Sequence, residues 1–217
     1  MTLHQLDAKA RAVGLAVRGA FHPTDSDNTP PGTKTLVLLG PDEPSFWPIF
    51  EASPEMTDGA QHPLDRWSKR VTGELSALFH ATAIFPYDGP PYAPFLHWAE
   101  RCGTSWSSPI GLLVHETAGL FISFRAALAV AERLPIAGTP QNPCRSCSAQ
   151  PCASACPVGA LAPGKDYDVP ACKAHLESPE GAACRAGCLV RRACPVSQRF
   201  GRPAEQSAFH MRAFLGE

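Results

Sequence analysis

The sequence predicts an α+β protein in two parts: a domain with a mixed sheet over residues 1–137 and a small cysteine-rich module over residues 140–202, followed by a short helical tail over residues 203–217. Three observations predict this. Apolar runs with helical and strand periods alternate through the front half. The composition changes near Leu134, where "PIAGTPQNP" reads as a linker. Beyond it, eight of the nine cysteines crowd between Cys144 and Cys194, while bulky apolar residues become rare.

The front elements follow in order. Leu3, Leu6, Ala10 and Val13 share one helical face, with Gly14 as the stop. Leu15–Phe21 reads as a strand, "HPTDSDNTPPG" as a surface loop, and Thr33–Leu39 as a buried strand ended by Gly40-Pro41. Helices are expected over 44–52 and 64–80, the second burying Leu64, Trp67, Val71, Leu75 and Leu78. A strand at 82–87, a helix at 92–102, and two strands at 111–115 and 119–130 joined by a three-residue turn complete the domain. Tyr87 and Tyr92 are expected to pack against Trp98, and Cys102 to be a core thiol.

Composition excludes several functions. The net charge is −1, so no global field draws the chain to nucleic acid or anionic membrane. The longest apolar stretch, Leu120 to Val130, is broken by Ser123 and Arg125 and falls short of the roughly 20 residues of a membrane span. Asp7, Lys9 and Arg11 interrupt the segment where a signal peptide would be apolar. A cytoplasmic protein is expected, and reduced thiols with it, which argues against a disulfide framework.

About fifty residues with few aliphatic side chains cannot fold on hydrophobic burial alone, so a metal centre is the expected organiser. The cysteines form two groups, Cys144, Cys147, Cys152 and Cys156 before Pro157, and Cys172, Cys184, Cys188 and Cys194 before Pro195. "ACPVGAL" and "ACPVSQR" suggest a duplicated unit. The layout resembles that of bacterial ferredoxins, C-x2-C-x2-C-x3-C-P, in which the fourth cysteine serves the other cluster. Here the spacings are wider. That resemblance implies one [4Fe–4S] cluster on Cys144, Cys147, Cys152 and Cys194, and another on Cys172, Cys184, Cys188 and Cys156. Two zinc sites of four cysteines fit the count as well.

Ser108 to Val130, "SPIGLLVHETAGLFISFRAALAV", resembles the CblC-type cobalamin-processing proteins, whose segment has the form G-x-x-(I/V)-H-P-x-x-G-x-(W/F)-x-x-x-R. Gly111, His115, Gly119, Phe121 and Arg125 fall on it. Epoxyqueuosine reductases and reductive dehalogenases share the layout of such a front half followed by two clusters. The resemblance implies a nitroreductase/CblC-like fold with a cobalamin or FMN cofactor, and Arg125, His115 and His97 as its binding residues. No catalytic residue is assigned.

The expected function is electron transfer through two clusters to a corrinoid, flavin or substrate in the front domain, a reductase candidate, with an electron-donor or acceptor protein as partner. A non-enzymatic dicluster carrier whose front domain docks partners is one alternative. A zinc-stapled interaction or RNA-binding module is the other. Arg185, Arg191, Arg192, Arg199 and Arg202 make the cysteine region basic. Compensation of cluster charge is the preferred account over RNA contact, since no aromatic stacking residues alternate with them.

Overall fold

A computed structural model describes all of residues 1–217. In chain order its elements are α1 (Leu3–Arg11), β1 (Leu15–Phe21), β2 (Thr35–Pro41), α2 (Phe46–Glu51), α3 (Pro54–Thr57), α4 (Pro63–Phe79), β3 (Thr82–Ile84), α5 (Phe95–Arg101), β4 (Ser105–Ser107), β5 (Leu113–His115) and β6 (Ala126–Val130). Five helices follow: α6 (Val169–Glu177), α7 (Ala182–Arg185), α8 (Leu189–Ala193), α9 (Pro195–Arg199) and α10 (Ala204–Leu215). No helix is long and apolar enough to cross a membrane.

The chain divides into two compact units. The first comprises Met1–Thr104 and Ser123–Thr139, the second Ser105–Ile122 and Pro140–Glu217. The sequence reading placed residues 105–122 in the front domain and set the tail apart. The structure assigns both to the second unit.

The first unit is built on a four-stranded sheet in the order β1-β2-β6-β3. Every pair is antiparallel, so the expected mixed sheet is corrected. A parallel pair would need a long crossover between neighbours. Here β1 and β2 are sequential, and β6 returns from far along the chain to lie between β2 and β3. Strand β6 is Ala-Ala-Leu-Ala-Val, buried throughout, as a central strand covered on both faces should be.

Helix α1 starts on a capping box: Thr2 Oγ1 accepts from the Gln5 N–H while the Gln5 side chain accepts from the Thr2 N–H. Its Leu6 and Ala10 are fully buried. Helix α4 buries Leu64, Trp67, Val71 and Leu75 as its periodicity predicts, but Leu78 is 55% exposed. Phe46 and Phe50 stack on each other and both meet Trp67 edge-to-face, with centroids 5.3 to 5.8 Å apart. Tyr87 stacks on Phe85, and Tyr92 is exposed. The expected Trp98 contact is replaced by Phe95, while the Trp98 indole N–H donates to the Asp27 carbonyl at 2.7 Å.

The second unit opens with the hairpin β4–β5. The expected hairpin of 111–115 with 119–130 is absent. His115 and Gly119 form only an isolated bridge, because β5 pairs with β4 while β6 belongs to the other sheet. Ile110, Val114 and Leu120 from this stretch pack with Cys152, Leu161, Val190 and Cys194 in one small core. That packing is why residues 105–122 side with the cysteines: they lend the aliphatic groups the cysteine segment lacks. Helix α10 buries Gln206 and Ser207 and belongs to the same unit.

Candidate metal centre

All nine cysteines are free thiols. Cys144 sits in a 3₁₀ turn whose cap, Asn142, accepts from the Cys144 N–H at 2.9 Å. Cys147 closes that turn, donating its N–H to the Cys144 carbonyl at 3.3 Å. Cys152 lies in a second 3₁₀ turn, Pro151–Ala153. Cys194 precedes α9 with Pro195 in the first turn, where a missing N–H costs nothing. These four line one recess of about 220 Å³, walled also by Val114, Leu120, Pro195 and Val196.

The other four meet elsewhere in the second unit. Cys156, Cys172, Cys184 and Cys188 line a recess of about 20 Å³ with Leu161, Leu176 and Val190. Cys172 is carried on α6, which Asp168 caps by accepting from the Ala171 N–H at 2.9 Å. Cys184 lies on α7, and Cys188 precedes α8. Each recess therefore draws three cysteines from one sequence block and the last or first-block remainder from the other. The two Cys-Pro steps are not equivalent as a duplication would make them: Pro195 starts a helix, whereas Cys156-Pro157 opens a turn closed by the Gly159 N–H on the Cys156 carbonyl at 3.2 Å.

The electrostatics sort the thiols the same way. Burial pushes Cys144 and Cys152 upward, and Cys194 and Cys147 add to it in both. Burial also raises Cys172, opposed by a hydrogen bond from the Tyr167 hydroxyl and reinforced by Cys188 and Cys156. Cys184 is raised by burial and lowered by the Leu189 N–H, with Cys188, Cys156 and Cys172 raising it. Thiols gathered this way resist ionising together unless a cation sits among them. An all-sulfur set of four suits soft metals, namely zinc, copper(I) or iron–sulfur clusters. No three His, Cys, Asp or Glu side chains converge as closely as one metal ion requires.

None of the other sequence-predicted site residues lines either recess. His97 Nε2 contacts Asp27 Oδ1 at 2.9 Å, where Arg101 also donates. Arg125 is largely buried in the first unit, 3.5 Å from Asp65, and its Nε donates to the Phe124 carbonyl at 3.1 Å. Tyr87 donates to the Asp65 carbonyl at 2.8 Å. His115 is buried in the second unit, and its Nδ1 accepts from the N–H groups of Thr117 and Ala118 at 3.1 and 3.2 Å. His115 and Arg125 thus lie in different units.

Three of the arginines also have backbone work. Arg191 donates to the Leu120 carbonyl, Arg202 to the Phe121 carbonyl at 3.0 Å, and Arg185 to the Leu176 and Ser178 carbonyls. Sequence reasoning missed Tyr167, which lines the Cys172 recess. Its signal was thin: one of three tyrosines, five residues before a cysteine. It missed Ser197 as well, whose Oγ accepts from the Leu120 N–H.

No protein-family model matches the chain, and no curated protein or solved structure matches it.

Proposed function

We propose that this chain is an iron–sulfur electron-transfer protein, with Cys144, Cys147, Cys152 and Cys194 holding one [4Fe–4S] cluster and Cys156, Cys172, Cys184 and Cys188 the other. The observation that carries the reading is the gathering of eight cysteines into two recesses of four, crossed between the sequence blocks. When bound, each cluster supplies a one-electron couple. The chain's own part is to hold it by four thiolates and shield it with Val114, Leu120, Leu161 and Val190.

The acceptor remains a choice between a corrinoid or flavin in the first unit and a partner protein. A specific observation favours the carrier reading. Arg125 and His97 are each engaged by a buried or half-buried aspartate, and His115 caps a turn in the other unit. None of the three is left to receive a cofactor's phosphate or ring.

Anaerobic purification with iron, sulfide, zinc, cobalt and flavin measured together tests both points. About eight irons and eight sulfides per chain are expected, four of each per cluster, with broad absorption near the visible–ultraviolet border. A colourless protein containing zinc rejects the proposal. Titration with hydroxocobalamin and with FMN is expected to leave the spectrum unchanged; a saturable shift with either restores the reductase reading.

A further inference from the structure

The recess lined by Cys144, Cys147, Cys152 and Cys194 carries four polar side chains besides its thiols: Ser108, Ser146, Gln150 and Arg199. The last three are exposed, so water serves their polar atoms. Ser146 also spends its hydroxyl on the Pro143 carbonyl, at 3.2 Å. Ser108 is different. It is 7% exposed, its Oγ is sealed from water, and that hydroxyl has no hydrogen-bond partner within the chain. A hydroxyl in this state has given up its bonds to water and gained none in return. Buried polar groups are nearly always satisfied, so the exception calls for an acceptor.

The hairpin decides where that hydroxyl lies. Strands β4 and β5 pair Trp106 with Val114 and Ser107 with Leu113. The Ser108 N–H continues the ladder by donating to the Leu112 carbonyl at 2.9 Å. Side chains alternate between the two faces of a strand. Trp106, Ser108, Leu112 and Val114 therefore share one face, and Ser105, Ser107, Leu113 and His115 the other. The first face is the one turned to the cysteines: Trp106, Leu112 and Val114 pack in the core that contains Cys152 and Cys194. Ser105 supplies the contrast. Its Oγ is also buried without a partner, but it stands on the opposite face and is not part of the recess lining. The Ser108 carbonyl accepts from the Gly111 N–H at 3.0 Å, so the backbone is held on both sides of this residue. The other recess has no counterpart: none of its lining residues carries a buried side-chain polar atom without a partner.

We propose that the Ser108 hydroxyl is a hydrogen-bond donor to the iron–sulfur centre of Cys144, Cys147, Cys152 and Cys194, and that it raises the reduction potential of that centre. This rests on the cluster reading above. The sulfurs of such a centre accept hydrogen bonds, and accept them better once an electron has been added. A donor fixed beside them therefore favours the reduced state. The same contact gives Ser108 the acceptor that the chain withholds.

The test is an anaerobic redox titration of the iron-loaded full chain, followed by electron paramagnetic resonance. Two waves are expected in the wild type, and Cys144→Ser identifies the wave of this centre as the one that disappears. Ser108→Ala, at unchanged iron content, lowers that wave alone, shifting the electron's distribution between the two centres about tenfold, or 59 mV for a one-electron couple. Ser108→Thr keeps the hydroxyl and holds the wave near its wild-type position. Ser105→Ala removes the hydroxyl of the opposite face and moves neither wave. An iron-replete Ser108→Ala with that wave unmoved, or with both waves moved together, overturns the inference and leaves the cluster reading standing. So does a Ser108→Thr or Ser105→Ala wave displaced as far as that of Ser108→Ala. Should Ser108→Ala take up no iron, Ser108→Gly, which also lacks the hydroxyl, decides by the same readout. Wild-type protein that takes up no iron at all fails the cluster reading and the inference with it.

Discussion

The backbone N–H of Leu120 donates to the Ser197 hydroxyl at 2.8 Å, across 77 residues of sequence. Beside it, Gly119 stands at φ +58°, and a Cβ placed there would meet the Ser197 nitrogen at 2.5 Å. Arg191 and Arg202 take the carbonyls of Leu120 and Phe121. One short stretch is therefore tied to α8, α9 and the approach to α10 by its backbone, while its side chains feed the core beside Cys152 and Cys194.

Gly119→Ala should destabilise the second unit by about 3 kcal/mol, from left-handed strain and overpacking against the Ser197 backbone. Gly111 is the control. It has φ +76° with nothing near its would-be Cβ, so Gly111→Ala should cost only about 1 kcal/mol of backbone strain. Denaturant unfolding of the two loaded variants checks the difference.

The crossing of the quartets has a direct signature. Cys156→Ser should behave like Cys172→Ser and Cys184→Ser, and Cys194→Ser like Cys144→Ser, each losing about four irons per chain. Within the pairing expected from adjacency alone, Cys156→Ser would group with Cys144→Ser. Iron content and the surviving paramagnetic signal of each variant distinguish the two.

If the second unit holds clusters as proposed, removing them should loosen it along its own boundaries. With few aliphatic groups to hold it, hydrogen exchange is expected to accelerate over 105–122 and 140–217 together, while β1, β2 and β6 keep their protection. Exchange confined to 140–217, with 105–122 still protected, would contradict the division.

Asp27 gives the first unit an acid limit. It is 1% exposed. Burial alone would raise its pKa, but hydrogen bonds from Arg101, the Thr24 N–H, His97 and the Thr24 hydroxyl outweigh burial and hold the carboxyl well below the usual range. A depressed native pKa contributes stability above the unfolded value of about 3.9 and loses it as pH falls toward the native value. Asp27→Asn should therefore cost roughly 2 kcal/mol at neutral pH. That difference should shrink below about pH 4 in thermal unfolding curves.

Much of the local structure was legible in the residues. The strand Leu15–Phe21 and the buried face of α4 follow from period and composition, because those signals are short-range. The shortage of aliphatic groups after Leu134 was legible too, and the fold meets part of it with Ile110, Val114 and Leu120 from earlier in the chain. The structure lines two recesses with four cysteines each; the crossed assignment was available only through the resemblance to ferredoxins. What the residues could not reveal was allegiance. An apolar run such as 111–130 satisfies a hairpin as well as it satisfies two separate sheets. Only the competition among distant partners decides, with β2 and β3 both claiming β6, and the cysteine segment claiming Ile110, Val114 and Leu120. The place of Tyr167 was hidden for the same reason: it lines the Cys172 recess and stacks on Phe214 only once α6 and α10 are folded.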